Sequence, residues 1–296
     1  MKRKMGTIVL SWTLAFFLFP APHPAQGYKM HEIRLSEDMF RIASSSMVFV
    51  NVLLFRGRDG ILLVDSGDGV PGGQLEAKVK RHGPGMVKFI INTHLHDDHV
   101  GGNEALGKNA KIINFTNLAR WSRQGVLLPG KGELKGKTNK GFTSYFRLPF
   151  SGENIFIIPA GSGHSEADVI VYLKGSGIVH LGDLLLAGSF PLLFGELDRY
   201  QEILEKVLDA FPAGVKFVAG HGRDYSLAEL KDYFKVIVET RRIVEREFKA
   251  GKSVQAVMAS NVLKKWESYG NSFPLVTTGD WIAAIHQAFL RNSKKK

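Results

Sequence analysis

The chain has 296 residues, is 44% hydrophobic and 23% charged, carries a formal charge of +11 and contains no cysteine. That length and balance suit a globular unit with a sizeable core rather than a disordered chain. The lack of thiols excludes a disulfide framework, thiolate nucleophiles and cysteine-ligated metals, and basic charge without a recognisable motif does not point to a nucleic-acid partner.

The N-terminus reads as a secretory signal. Lys2, Arg3 and Lys4 precede a short apolar run over 7–19, and prolines and small residues follow over 20–27. Ala25 and Gly27 stand like the small pair before a signal-peptidase cut. The run is shorter than the roughly 20 residues a membrane span needs, so a cleaved signal over 1–27 is expected rather than an anchor. The expected mature protein, 28–296, is periplasmic or secreted, has no stable membrane insertion and keeps a charge of +8, because residues 1–27 hold three cations and no acid.

Strand-like and helical patterns then alternate, which predicts an α/β class. Residues 47–69 read as two strands joined by a turn at Arg58, Asp59 and Gly60, and "QLEAKVKRHG" as a helix stopped by Gly83. "VKFIINTH" and "AKIINF" predict further strands, as do "NIFIIPAG", "DVIVYLKGSGIVHLGD" and "VKFVAGHG". The spacing of Tyr200, Ile203, Leu204, Val207 and Leu208 predicts a helix over 196–211. A long helix is expected over 226–251, capped by Ser226 and stopped by Gly251. The Gly- and Lys-rich stretch 123–146 shows no period and is expected to be a long loop, either a lid over a site or a plain surface loop. Two C-terminal helices, the second capped near Thr278, complete a region of about 226–296. They could pack on the main body, form a dimer contact or wall a cleft.

The densest chemistry is "THLHDDHVGG", 93–102, where His94, His96, Asp98 and His99 follow an apolar run and two glycines succeed them. Imidazole and carboxylate are the donors zinc or iron accepts when no thiolate is present, and two adjacent sets in one segment can serve two metals. Three histidines so close are hard to explain as a solvated loop. His164, Asp183 and His221 each sit beside glycine where a strand-like run ends. Strand ends in α/β sheets are where sites are built. His180 is read as a packed structural histidine, and His23, His31, His82 and His286 as incidental. Asp168 is read as holding the loop after His164.

"THLHDDHVGG" resembles the HxHxDH signature of the metallo-β-lactamase superfamily, and "GSGH", "HLGD" and "AGHG" resemble its remaining metal motifs in order, over roughly 48–222. The resemblance implies a four-layer αββα sandwich. It implies that His94, His96 and His164 hold one metal, that Asp98, His99 and His221 hold a second, and that Asp183 bridges them. Asp98 could also orient the nucleophile. Asp65, in "LLVDSGDG", matches a position that supports the metals from behind; a turn-forming aspartate is the other reading.

The expected function is a hydrolase with two Zn2+, iron being possible, whose hydroxide attacks an ester, thioester or lactone carbonyl of a small-molecule substrate. The cysteine-ligand β-lactamase branch is excluded by composition, and Asp183 counts against β-lactamase activity generally. Resemblance to exported members associated with sulfur oxidation and quinoproteins, and to glyoxalase II, leaves a second reading: an oxidoreductase of the persulfide-dioxygenase kind with one non-haem iron. A metal-binding protein without turnover is a third, and a β-lactamase stays an alternative among the hydrolases.

Overall fold

The computed structural model of the chain describes residues 29–44, 49–68, 73–83, 86–135 and 141–294. The expected signal, 1–27, lies outside the described residues. Among those described, no helix is long and apolar enough to cross a membrane.

Thirteen strands form two mixed sheets among these residues. Sheet one runs, in spatial order, β1 (Met30–Arg34), β2 (Met39–Ser44), β3 (Val52–Gly57), β4 (Gly60–Val64), β5 (Val87–Ile91) and β6 (Lys111–Ile113). Sheet two holds β7 (Leu128–Lys135), β8 (Gly141–Phe150), β9 (Glu153–Gly161), β10 (Asp168–Leu173), β11 (Ile178–His180), β12 (Lys216–Val218) and β13 (Tyr225–Ser226), in the spatial order β13 to β7. The helices are α1 (Gln74–Arg81), α2 (Asp97–Val100), α3 (Asn103–Leu106), α4 (Leu118–Arg123), α5 (Leu197–Ala210), α6 (Leu227–Lys249), α7 (Val254–Ala259) and α8 (Thr278–Lys294). β3 and β4 make the expected hairpin, whereas β4–β5–β6 and β11–β12 pair in parallel.

Period-two alternation sorts the side chains into layers. Leu53, Phe55, Leu62 and Val64 of sheet one meet Ile155, Ile157, Val169 and Val171 of sheet two in a central core. The alternate residues Val52, Leu54, Ile61 and Leu63 face outward and pack with Leu75 and Val79 of α1. Ile158, Ile170 and Val179 face the other way, under Tyr200 and Ile203 of α5, Tyr233 and Ile237 of α6, and Trp281 and Ile285 of α8. The result is the αββα sandwich, and β10, covered on both sides, is buried at every position. Ser226 and Glu229 cap α6 reciprocally, and Gly251 takes φ 82 just past its end.

Two expectations need correction. The stretch 123–146 is not a long loop: α4 ends at Arg123, Leu127 is buried, and β7 and β8 pair antiparallel at the edge of sheet two; residues 136–140 lie outside the described residues. The glycines misled because Gly130 pairs with Tyr145 and lies under its ring, where a Cβ would come within 2.1 Å of Cε2. Lys131 and Lys135 belong to an edge strand, where charge discourages pairing with other chains.

The first C-terminal helix is also shorter than expected. It stops at Ala259, because Asn261 adopts φ 50, and the chain continues as a tight helical turn over Lys264–Gly270. The next helix is capped near Thr278 as expected, at Thr277: its Oγ1 accepts from Asp280 N at 3.1 Å, and Asp280 Oδ2 accepts from Thr277 N at 2.8 Å. α8 packs on the main body, with Trp281 Nε1 donating to Thr240 Oγ1 at 2.9 Å and the indole stacked on Phe190.

Candidate metal centre

The seven singled-out ligand candidates converge at one end of the sandwich. His94 and His96 follow β5, and Asp98 and His99 lie in the short helix α2. His164 sits between β9 and β10, Asp183 in the turn after β11, and His221 just beyond β12. Strands of both sheets thus deliver their ends to one edge. Thr93 O accepts from Val169 N at 2.7 Å, tying the two sheets together there.

Among the described residues, three groups of side chains bring donor atoms within 4.8 Å of one another and could each hold a metal ion: His94, His96 and His164; His94, His99 and Asp183; and Asp98, His99 and His221. In the first, His94 Nε2 and His164 Nε2 lie 2.9 Å and 3.0 Å from His96 Nδ1. One ring nitrogen carries at most one hydrogen, so it cannot satisfy both neighbours. His164 Nδ1 lies 2.6 Å from Leu192 O and must donate to it, which leaves Nε2 of the neutral ring with a lone pair aimed inward. A cation fits this convergence better than hydrogen bonds do.

Asp183 lies between the sets. Its Oδ2 is 3.5 Å from His164 Nε2, while Oδ1 is 3.2 Å from His99 Nε2 and 3.5 Å from His221 Nε2. Buried His99 Nε2 and Asp183 Oδ1 make no well-aligned hydrogen bond to each other or to another group. Buried polar atoms short of a well-aligned hydrogen bond are costly, so both suit a bound ion. Gly220 makes the position possible, since a Cβ there would lie 1.9 Å from Asp183 Oδ1.

The electrostatics divide the ligands. Burial pushes the imidazoles of His94 and His96 toward the neutral form, the form a metal accepts. Burial also opposes charge on His99, but Asp65 and Asp183 outweigh it and hold its pKa well above the usual histidine value. At His221, burial is likewise outweighed, by Asp183 and Asp98, and the pKa rises to about 9. Asp183 stays ionised despite burial because His221, His99 and His164 surround it. Asp98 is held below its usual range against burial by its hydrogen bond with His221 and by His99.

Asp65 is a support and more than a turn residue. It accepts from Thr93 N at 2.7 Å, Thr93 Oγ1 at 2.9 Å and His99 Nδ1 at 2.8 Å, fully buried at φ 61. Left-handed backbone at a residue other than glycine is costly and persists where neighbours impose it. Asp168 accepts from Gly163 N and Ser165 N and so shapes the loop bearing His164. His180 is structural: Nε2 donates to Asn51 O at 3.0 Å, and Nδ1 accepts from Gly182 N at 3.1 Å. Gly101 and Gly102 have ordinary right-handed φ values, and their need is space: a Cβ on Gly102 would lie 1.9 Å from Ser66 O.

Two residues with no sequence signal complete the rim. Phe194 is 63% exposed, with its ring centroid 5.0 Å from His96 and 5.6 Å from His164. Leu95, between two ligand candidates, is 48% exposed. Phe273, from the C-terminal region, packs on the His221 ring at 5.0 Å, so that region also walls the site.

A family model described as the metallo-beta-lactamase superfamily matches residues 46–221. A hydroxyacylglutathione hydrolase of Chromohalobacter salexigens is 28% identical over 177 residues, 58% of this chain and 60% of that protein. A type 2 metallo-beta-lactamase of Bacillus cereus is 27% identical over 185 residues, 60% of this chain and 69% of the other. Among solved structures, a metallo-beta-lactamase from Pontibacter korlensis matches with a TM-score of 0.54 at 19% identity, over 70% of this chain and 98% of that one. A stereoselective inverting sec-alkylsulfatase from Pseudomonas sp. matches with a TM-score of 0.63 at 12% identity, over 88% of this chain and 50% of the other. At these identities the structural matches speak for the fold.

Proposed function

The chain belongs to the metallo-β-lactamase superfamily, and from that premise we propose that it is an exported dinuclear zinc hydrolase of a small-molecule ester, thioester or lactone. The observation that carries this reading is Asp183, whose two oxygens face the two histidine sets from a buried position. His94, His96 and His164 would hold one zinc, Asp98, His99 and His221 the other, with Asp183 between. In a reading with one iron, the complete set of Asp98, His99 and His221 would have no task, so the dinuclear reading is favoured over a dioxygenase. The likeness to a hydroxyacylglutathione hydrolase, by its name a thioester hydrolase, supports a carbonyl substrate.

Bound zinc supplies Lewis acidity, which lowers the pKa of water to about 7 and stabilises negative charge developing on oxygen. The chain's own residues do the rest. Asp183 and Asp98, both held ionised, balance the cationic charge. Asp98, with 38% of its side chain exposed, faces the open side and can accept a hydrogen bond from the attacking water, aligning it. Asp65 and Leu192 O fix the rings of His99 and His164 through their Nδ1 atoms. Phe194 and Leu95 add exposed apolar surface beside the ligands, against which a nonpolar part of the substrate could rest.

The first test is metal content and turnover of the protein purified without its first 27 residues. About two zinc per chain together with hydrolysis of thioesters, esters or lactones supports the reading. About one iron per chain and oxygen-dependent consumption of a persulfide would replace it.

A further inference from the structure

The turn that carries His221 contains Gly220 and Gly222, the latter at φ 90, and such a turn would be loose on its own. Instead, every carbonyl from 219 to 222 has a donor. Asn51 Nδ2 donates to Ala219 O at 2.9 Å and to Gly222 O at 2.8 Å, and Asn51 N donates to Gly220 O at 2.7 Å. Arg41 Nη1 donates to Gly222 O at 2.9 Å and to Asn51 Oδ1 at 2.8 Å. Ala187 N donates to His221 O at 3.0 Å. Arg41 Nε also lies 3.0 Å from Asp224 Oδ1, just beyond the turn.

Three of these four carbonyls are therefore held from sheet one, by Arg41 on β2 and by Asn51 just before β3, although His221 belongs to sheet two. Asp98 and His99, the other members of its set, hang from sheet one. The contacts fix the distance across the sandwich that this set must span. A buried ion pair is a weak source of stability, because desolvation offsets the attraction. A guanidinium fork can hold several oxygens in fixed directions, which an ammonium cannot. Arg41 is only 7% exposed and Asn51 1%, and Asn51 O also accepts from the structural His180 Nε2 at 3.0 Å.

We propose that Arg41, Asn51 and Asp224 form an inter-sheet clamp that positions His221 and selectively sets the affinity of the second metal position. The inference rests on the dinuclear reading above. His164, a ligand of the first position alone, is held independently, by Leu192 O and by the Asp168 loop within sheet two, so the clamp reaches the first position only through the shared Asp183, against which Gly220 packs.

The test uses the full mature chain and the variant Arg41→Lys, with Asp224→Asn as the milder change should the first not fold. Metal-free protein is titrated with zinc against a chromophoric chelator, and amide hydrogen exchange is followed by mass spectrometry in the metal-free state. The clamp predicts that the weaker zinc equivalent loses about 10- to 100-fold in affinity while the tighter one moves by less than about threefold. It also predicts faster exchange confined to 219–224, with segments 94–99 and 162–168 unchanged. Parallel weakening of both equivalents, or exchange that rises throughout the chain, would mean a general structural role and overturn the proposal. So would a variant with wild-type zinc binding. A wild type that takes up a single zinc defeats the dinuclear reading and the metal part of this proposal, whereas the exchange pattern still decides whether the clamp holds the turn.

Discussion

Replacing Asp65 by asparagine probes the support behind His99 with almost no change in shape. The carboxylate serves three donors: Thr93 N on Oδ1, and both Thr93 Oγ1 and His99 Nδ1 on Oδ2. An amide has one oxygen. Placed at Oδ2, it keeps the second pair but sets NH2 against Thr93 N–H, which cannot turn away. Placed at Oδ1, it sets NH2 against His99 Nδ1. One buried donor left unsatisfied costs about 1–3 kcal/mol, and each remaining bond falls from the charged to the neutral class, about 1 kcal/mol apiece. The expected total is about 3–5 kcal/mol, a large share of the 5–15 kcal/mol by which domains are stable. With His99 released from its orientation, zinc affinity should fall about 10- to 100-fold. Urea unfolding of metal-free wild type and Asp65→Asn gives the first number, and chelator competition the second. A loss under about 1 kcal/mol with unaltered zinc affinity would refute the account of Asp65 as the anchor of this ligand.

Metal uptake should release protons. In the metal-free protein the pKa values of His99 and His221 are raised, the latter to about 9, so both are charged at pH 7 and must lose a proton to bind zinc. The stability these charges add is present below the ordinary value of 6.5 and is lost as pH rises through the folded values. Calorimetry in buffers of different ionisation enthalpy should find about two protons released at pH 7 and fewer above pH 9; no release at pH 7 would contradict the assignment. Phe194→Ala should raise KM several-fold for substrates with nonpolar acyl groups, leave zinc content intact and change kcat little, as seen in steady-state kinetics across an acyl series. Glu229, which accepts from Ser226 N and pairs with Arg223, has its pKa pulled from 4.5 to about 2 by those contacts, Ser226 N first. A depressed carboxylate stabilises above its unfolded pKa, so Glu229→Gln should destabilise at pH 7. The difference should shrink as pH falls from 4.5 toward 2, followed by thermal unfolding.

The sequence alone determined a good deal. Period-two apolar runs and 3.6-residue spacing placed most elements, because an alternating strand or an amphipathic helix needs only its own side chains to declare which face is buried. The donor residues of the centre were legible for a related reason. His94, His96, Asp98 and His99 are adjacent in the chain, and His164, Asp183 and His221 each carry glycine beside a polar group at a strand end. Their close approach required tertiary structure, since 94–221 spans both sheets. Edge pairing of 128–150 was hidden because an edge strand rich in glycine and lysine has the composition of a loop until Tyr145 covers Gly130. Arg41 and Asn51 carried no signal at all: a buried guanidinium looks like any surface cation in one dimension, and only the stacking of two sheets brings it onto the carbonyls beside His221. The same holds for Asp65, whose two readings were separated only when His99, 34 residues away, came within 2.8 Å. Local pattern is written in neighbouring residues, whereas the orientation of a ligand is set by partners that the chain brings together only by folding.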